Sequence, residues 1–163
     1  MQLFRERLWP APWLFIATAL VIPASLLVFL PINTTAGIVV AAVLYLGCVA
    51  LLLLGSPVIE VSAATLAAGR ARLPLHVVAG AVASRGPQAR AERGVGLDAR
   101  AYLVIRGWVD PVVRVTLDDP DDPTPYWLIS TRRPEELVRV LAAGAAEARE
   151  RGAADTAPGE NRP

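Results

Sequence analysis

The polar and apolar positions of this chain fall into two regimes. Between residues 8 and 59 no Asp, Glu, Lys or Arg occurs, and apolar residues follow one another without the spacing of an amphipathic surface helix. Pro31-Ile32-Asn33-Thr34-Thr35 divides this stretch into two blocks, 13–30 and 36–54. Each block has about the 17–25 residues that carry an α-helix across a hydrocarbon core of ~30 Å. Helix is also the conformation that satisfies backbone polar groups within a lipid-exposed segment. Pro23 predicts a kink in the first helix, and residues 31–35 predict an extracytoplasmic turn. The pattern therefore predicts a two-helix transmembrane hairpin. Gly37, Ala41, Ala42 and Gly47 are small enough to let its helices pack closely. A cleaved signal peptide fits less well, because its apolar run spans about 7–15 residues and a second span follows here at once.

Beyond residue 57 the period changes to two. Residues 58–62 alternate, 66–75 continue after a turn, and 77–83 form a weaker strand candidate. Residues 84–97 carry Gly86, Pro87, Gly94 and Gly96 and predict a loop. Strands follow at 101–109 and 112–117, separated by Asp110-Pro111, and at 126–131. On the pleat Val113, Val115 and Leu117 share one face and Arg114 and Thr116 the other, while Trp127 and Ile129 oppose Tyr126 and Leu128. The last strand is apolar on both faces, which predicts cover on both. A helix starts near Pro134, with Glu135 and Glu136 at the positive end of its dipole and Leu137, Val138, Val140 and Leu141 as the docking stripe. The expected fold class is an α+β membrane protein: the transmembrane hairpin, then a small, mostly antiparallel β domain over 57–151 closed by a C-terminal helix. Residues 152–163, small, polar and proline-containing, predict a disordered tail.

Charge adds orientation. The chain has 163 residues, 16 basic against 15 acidic side chains, and every basic residue is Arg. With the abundance of Ala, Gly and Pro, the absence of Lys reads as the imprint of a GC-rich genome. A net charge of +1 gives no general field for nucleic acid. The one cysteine, Cys48, excludes an intrachain disulfide framework. Arg5 and Arg7 precede the first helix, the turn is uncharged, and residues 60–93 hold five arginines against two glutamates. By the positive-inside rule residues 1–12 and the β domain lie in the cytoplasm, at the plasma membrane, with Arg5, Arg7, Trp9 and Trp13 at the membrane interface.

Candidate chemistry is sparse. A nucleophilic triad would have to use His76, the single histidine, with Ser62, Ser84 or Ser130, none of which sits in a nucleophile elbow. Asp118, Asp119, Asp121 and Asp122 lack the loop glycine and terminal glutamate of a calcium site, and Pro120 and Pro123 make the segment a solvated connection. Gly94-Val95-Gly96 lacks the later residues of a phosphate-binding loop. No catalytic residue, metal or cofactor is expected. What remains is a basic–aromatic set, Arg106, Trp108, Trp127, Arg132 and Arg133, together with Arg70 and Arg72 toward an anionic leaflet. The competing reading makes Trp127 a core residue and pairs the arginines with nearby carboxylates.

The strand succession closed by Thr131-Arg132-Arg133-Pro134-Glu135-Glu136-Leu137 resembles the pleckstrin-homology-like modules of bacterial membrane proteins. A longer resemblance rests on Arg5-Glu6-Arg7-Leu8-Trp9, Arg72-Leu73-Pro74-Leu75, Arg100-Ala101-Tyr102-Leu103-Val104, Gly107-Trp108-Val109 and the run from Asp122 to Pro134. These are similar to the actinobacterial membrane family catalogued as domain of unknown function 3093. The resemblance implies a small integral membrane protein and carries no catalytic residues. The expected function is a non-enzymatic, membrane-anchored module that meets a protein partner or anionic lipid headgroups. The alternative is an accessory subunit of a membrane complex.

Overall fold

The computed structural model describes residues 2–29 and 31–156. The chain forms two compact units, one built from residues up to Leu8 together with those from Pro57 onward, the other from Trp9–Ser56.

The second unit holds three helices, α1 (Pro12–Ala19), α2 (Val21–Phe29) and α3 (Thr34–Leu54). The first apolar block is interrupted at Leu20, just ahead of Pro23, which has no N–H to offer the Ala19 carbonyl. Pro12–Phe29 and Thr34–Leu54 are each long and apolar enough to cross a membrane, and only 6% and 11% of their most apolar windows are buried. Asn33 caps α3 by accepting from the Ala36 N–H at 3.1 Å. Gly37 lets α3 approach α2: a Cβ there would stand 3.1 Å from the Phe29 Cβ, and Ala41 is buried further along the same contact. Gly47 faces open space. The hydroxyls of Thr18 and Ser25 donate to the carbonyls of Leu14 and Val21, so neither polar group depends on outside partners.

The other unit is an α+β domain of two four-stranded sheets. Sheet one is an antiparallel meander, β1 (Gln2–Arg7), β2 (Val58–Ser62), β3 (Thr65–Ala68) and β4 (Ala71–Pro74), in that order. The first strand pairs with the second across the whole intervening hairpin, Arg7 opposite Val58, and the Leu8 N–H donates to the Pro57 carbonyl at 3.0 Å. The segment expected as a flank thus completes the domain, whose residues begin at β1 rather than at 57. Its signal lay in plain view: Phe4, Glu6 and Leu8 are buried and Leu3, Arg5 and Arg7 exposed, a period of two. The expected strand 66–75 is a β3–β4 hairpin turning at Gly69, whose φ of 65° suits glycine, followed by a 3-10 turn at Leu75–Val77.

Sheet two contains β5 (Val78–Ser84), β6 (Tyr102–Val104), β7 (Val112–Leu117) and β8 (Tyr126–Ser130), in the order β5-β7-β8-β6, with β6 parallel to β8. The strand expected over 101–109 shrinks to three residues. The loop expected over 84–97 contains α4 (Gly86–Arg93). Gly86 and Pro87 sit at its first turn, where proline costs nothing, and the Gly86 N–H donates to Asp110 Oδ2 at 2.8 Å. The fully buried Ala89 fixes α4 to the sheet.

Every side chain of β8 is buried. Trp127 and Ile129 join the main core with Val113, Val115, Ile59, Val61 and Leu66, whereas Tyr126 and Leu128 join Ala89 and Val112 on the opposite face. The two-sided apolar strand is therefore covered on one face by the main core, to which sheet one and α5 (Pro134–Thr156) both contribute, and on the other by α4 and the loop after it. Leu137, Leu141 and Ala145 are the buried stripe of α5. Gly144 permits its closest approach, because a Cβ there would stand 2.6 Å from Leu75 Cδ1. The tail expected to be disordered from 152 is helical as far as Thr156: α5 continues through Ala153 and Ala154, and the Arg151 guanidinium just before it donates to the Ala63 carbonyl at 2.7 Å. Residues 157–163 of that expectation lie outside the described residues.

Candidate functional site

Two places on the domain concentrate polar side chains. The first joins β1 to the start of α5. Glu6 points inward from β1 and is 8% exposed. Its Oε2 accepts from the fully buried Thr131 hydroxyl at 2.5 Å, and its Oε1 accepts from the Arg132 N–H at 3.0 Å. The Thr131 oxygen in turn accepts from the Arg133 N–H at 3.1 Å, and the Thr131 N–H reaches the Pro111 carbonyl. The Arg133 guanidinium stacks 4.6 Å above the Phe4 ring, donates to the Arg5 carbonyl at 2.7 Å and pairs with Glu136 at 3.1 Å. A carboxylate from one end of the sequence thus satisfies the Arg132 N–H directly and orients the Thr131 hydroxyl that accepts the next one, just ahead of the closing helix.

The second place is an open groove of about 550 Å³ on the outer face of sheet two. Its floor is Arg114 and Tyr126, with the guanidinium 3.8 Å from the ring centroid, and its wall is Gly96, Leu97 and Asp98. The Tyr126 hydroxyl is committed to that wall, accepting from the Asp98 N–H at 2.7 Å and donating to the Gly96 carbonyl at 3.2 Å. Arg114 lies 3.2 Å from Glu92. Asp98 is held below the usual carboxylate range first by its hydrogen bonds to Arg100 and then by the charges of Arg100 and Arg114. The charged groups lining the groove are one guanidinium, Arg114, and one carboxylate, Asp98.

Between these places runs an ion-pair belt. Arg85 grips Glu135 with two hydrogen bonds, 2.8 and 2.5 Å, which push the Glu135 carboxyl down to about 2. Asp110 is lowered by accepting from the Gly86 N–H and by Arg93, 3.1 Å away.

The predicted set divides in space. Arg132 and Arg133 meet Glu6 and Arg5 at the first place. Arg106 joins that side of the domain, its N–H donating to the buried Ser130 hydroxyl at 3.1 Å and its guanidinium 6.0 Å from Trp108. Trp127 is a core residue in tilted contact with Tyr102, ring centroids 4.5 Å apart and planes inclined by 45°. Arg70 and Arg72 stand exposed on the β3–β4 hairpin, in the other sheet. Trp9 and Trp13 are exposed in the helical unit, Arg5 and Arg7 on β1. His76 is exposed in the 3-10 turn. Asp119 and Asp122 are spent on turns, accepting from Asp121 and Thr124 N–H groups. Among the described residues no cluster of three His, Cys, Asp or Glu could hold a metal ion.

Glu6 escaped the sequence reading because a single carboxylate between two arginines looks like surface charge; only its alternation with Phe4 and Leu8 marks it as inward. Two of the motifs that carried the family resemblance are brought together, Arg5-Glu6-Arg7 against Thr131-Arg132-Arg133-Pro134. A family model described as "Protein of unknown function (DUF3093)" matches residues 3–141. The chain belongs to this family. The match runs from β1 through the apolar helices into α5, so the DUF3093 model spans residues of both units. No curated protein and no solved structure matches the chain.

Proposed function

We propose that this DUF3093 protein is a non-enzymatic, membrane-anchored binding module, its α+β domain held at the cytoplasmic face by a two-pass hairpin. The observation that carries the reading is the ladder between β1 and β2. Two neighbouring strands of one sheet continue directly into the two ends of the apolar insertion, so both ends depart from the same side. A cleavage after the first helix would remove β1 and with it Glu6, which argues against a signal sequence. The apolar side chains of the hairpin, Ile16, Leu27, Val43, Leu46 and Leu51 among them, are exposed all round, a surface that water disfavours and a bilayer accepts. Arginine-bearing flanks and an uncharged turn support the cytoplasmic side. Two sheets and a closing C-terminal helix support a pleckstrin-homology-like reading of the domain, with the parallel β6 as an addition to it. The groove floored by Arg114 and Tyr126, with Asp98 in its wall, offers charged and aromatic groups to a bound partner.

Alkaline extraction of native membranes tests the anchor: the full chain is expected to stay with the bilayer, and a V43R/L46R variant to leave it. Release of the unaltered chain would overturn the reading. Cross-linking in the same membranes tests the binding role, with recovery of a stoichiometric partner or an anionic lipid expected; recovery of neither counts against it.

A further inference from the structure

The four sheet edges of the domain are unequal. β1 carries Arg5, Glu6 and Arg7; β4 has four residues with Arg72 and ends on Pro74; β6 has three residues. Charge, proline and shortness are the devices that keep an edge from pairing with another chain. β5 has none of them. It is seven residues long, Val-Ala-Gly-Ala-Val-Ala-Ser, without a charge or a proline.

The ladder tells which of its backbone groups are open. The Leu117 N–H donates to the Pro125 carbonyl and the Thr131 N–H to the Pro111 carbonyl, so Pro111, Val113, Val115 and Leu117 turn their backbone toward β8. By alternation Val112, Arg114 and Thr116 face β5, where their partners are Ser84, Val82 and Gly80. The N–H and C=O groups of Ala81 and Ala83 then point away from the sheet, and among the described residues nothing pairs with them. Val78 faces the same way, but its carbonyl is taken by the Arg149 guanidinium at 2.5 Å. That contact, with the irregularity between Val78 and Gly80, limits the open edge to about residues 79–85. The centre of that stretch is Val82, which is 61% exposed.

We propose that β5 pairs antiparallel with β5 of a second copy of this chain, about a two-fold axis at Val82. In this register Ala81 meets Ala83 of the partner subunit, and the open groups form reciprocal hydrogen bonds. Val82 then lies opposite its own counterpart in a non-hydrogen-bonded pair, the type in which Cα atoms come closest, ~4.5 Å, and side chains touch. The strand is self-complementary because it is uncharged: no like charges meet, and the exposed valine finds an apolar neighbour. Arg114, beside Val82 in the sheet, is drawn off to Glu92 and Tyr126 and Arg85 to Glu135, so neither obstructs the edge. The pairing joins two four-stranded sheets into one of eight.

Disulfide trapping in the full chain, with Cys48→Ala as background, tests this register. Val82→Cys is expected to cross-link to itself on mild oxidation in cells at least tenfold more than Ala81→Cys, whose counterpart is residue 83, or the fully exposed Val95→Cys. A Val82→Lys variant, which sets two cations face to face, is expected to lose at least tenfold of the dimer seen by light scattering while keeping its circular dichroism. Cross-linking at 82 no greater than at 95, or a monomeric unaltered chain whose β5 takes up an extended peptide of another protein, would overturn the proposal.

Discussion

Replacing Glu6 is the sharpest probe of the junction between the two ends of the domain. In Glu6→Ala the Thr131 hydroxyl and the Arg132 N–H lose a charged acceptor. Thr131 is fully buried, so its donor has no water to turn to, whereas Arg132 is exposed and its N–H rehydrates. One orphaned buried donor costs about 1–3 kcal/mol, and hydrogen bonds to a charged group contribute about 1.5–3 kcal/mol each before rehydration is credited. The net loss is then about 2–4 kcal/mol. For a domain of this size that lowers the melting temperature by roughly 10 °C. Near-ultraviolet circular dichroism of the full chain in detergent reports it through the Tyr102–Trp127 ring contact. Glu6→Gln, almost isosteric, is expected to lose about half as much, which separates the lost charge from a lost volume. A double-mutant cycle with Thr131→Val should give a coupling of about 1–2 kcal/mol. If both Glu6 variants melt with the unaltered chain and the coupling vanishes, the carboxylate is not holding β1 to the helix start.

Three further outcomes follow from the packing and the ion pairs. Leu128→Ala, which empties the fully buried centre of the outer cluster beside Ala89 and Val112, is expected to destabilise the domain by about 2–4 kcal/mol in denaturant titrations; an unchanged midpoint would mean that α4 does not cover that face. Gly144→Val should cost about 1–3 kcal/mol by overpacking Leu75, despite the helix propensity it adds, and Leu75→Ala should recover part of it. Glu135 has its carboxyl depressed to about 2 in the folded chain, so its contribution is complete above the ordinary carboxylate range and fades as pH falls toward 2. The stability difference between the unaltered chain and Glu135→Gln should therefore shrink between about pH 5 and pH 2; a difference independent of pH would refute the Arg85 pairing.

Much of the fold was legible because it rests on period. The uncharged run with its polar break becomes two apolar helical segments, and the alternation at 112–117 and the two-sided apolar run at 126–130 become the central strands of sheet two. Where period and local chemistry conflicted, the reading slipped. Gly86 and Pro87 looked like breakers, yet α4 begins on them because Asp110, distant in sequence, accepts the first N–H. The strand at 101–109 ends after Val104 because the Arg106 N–H bonds the Ser130 hydroxyl in place of a ladder carbonyl and the chain then turns, the Val109 N–H donating to the Arg106 carbonyl. β1 was hidden by its position: six residues ahead of an apolar block read as a basic flank, since their partner strand lies beyond the hairpin. The junction at Glu6 depends on that same long-range pairing, so no local window could expose it. The groove was equally hidden, because Arg114 and Tyr126 come from strands joined by the Asp-rich turn and meet only through cross-strand register.

The most direct test of the anchored-domain account is the side of the membrane on which each part lies. Single cysteines at Leu3 on β1, Ile32 in the turn and Val95 on the domain surface, in a Cys48→Ala background, can be reacted with an impermeant maleimide in intact cells and again after the membrane is opened. The account predicts labelling of position 32 alone in intact cells, with positions 3 and 95 reacting together only after opening. Labelling that separates position 3 from position 95, or that finds position 32 on their side, would contradict it.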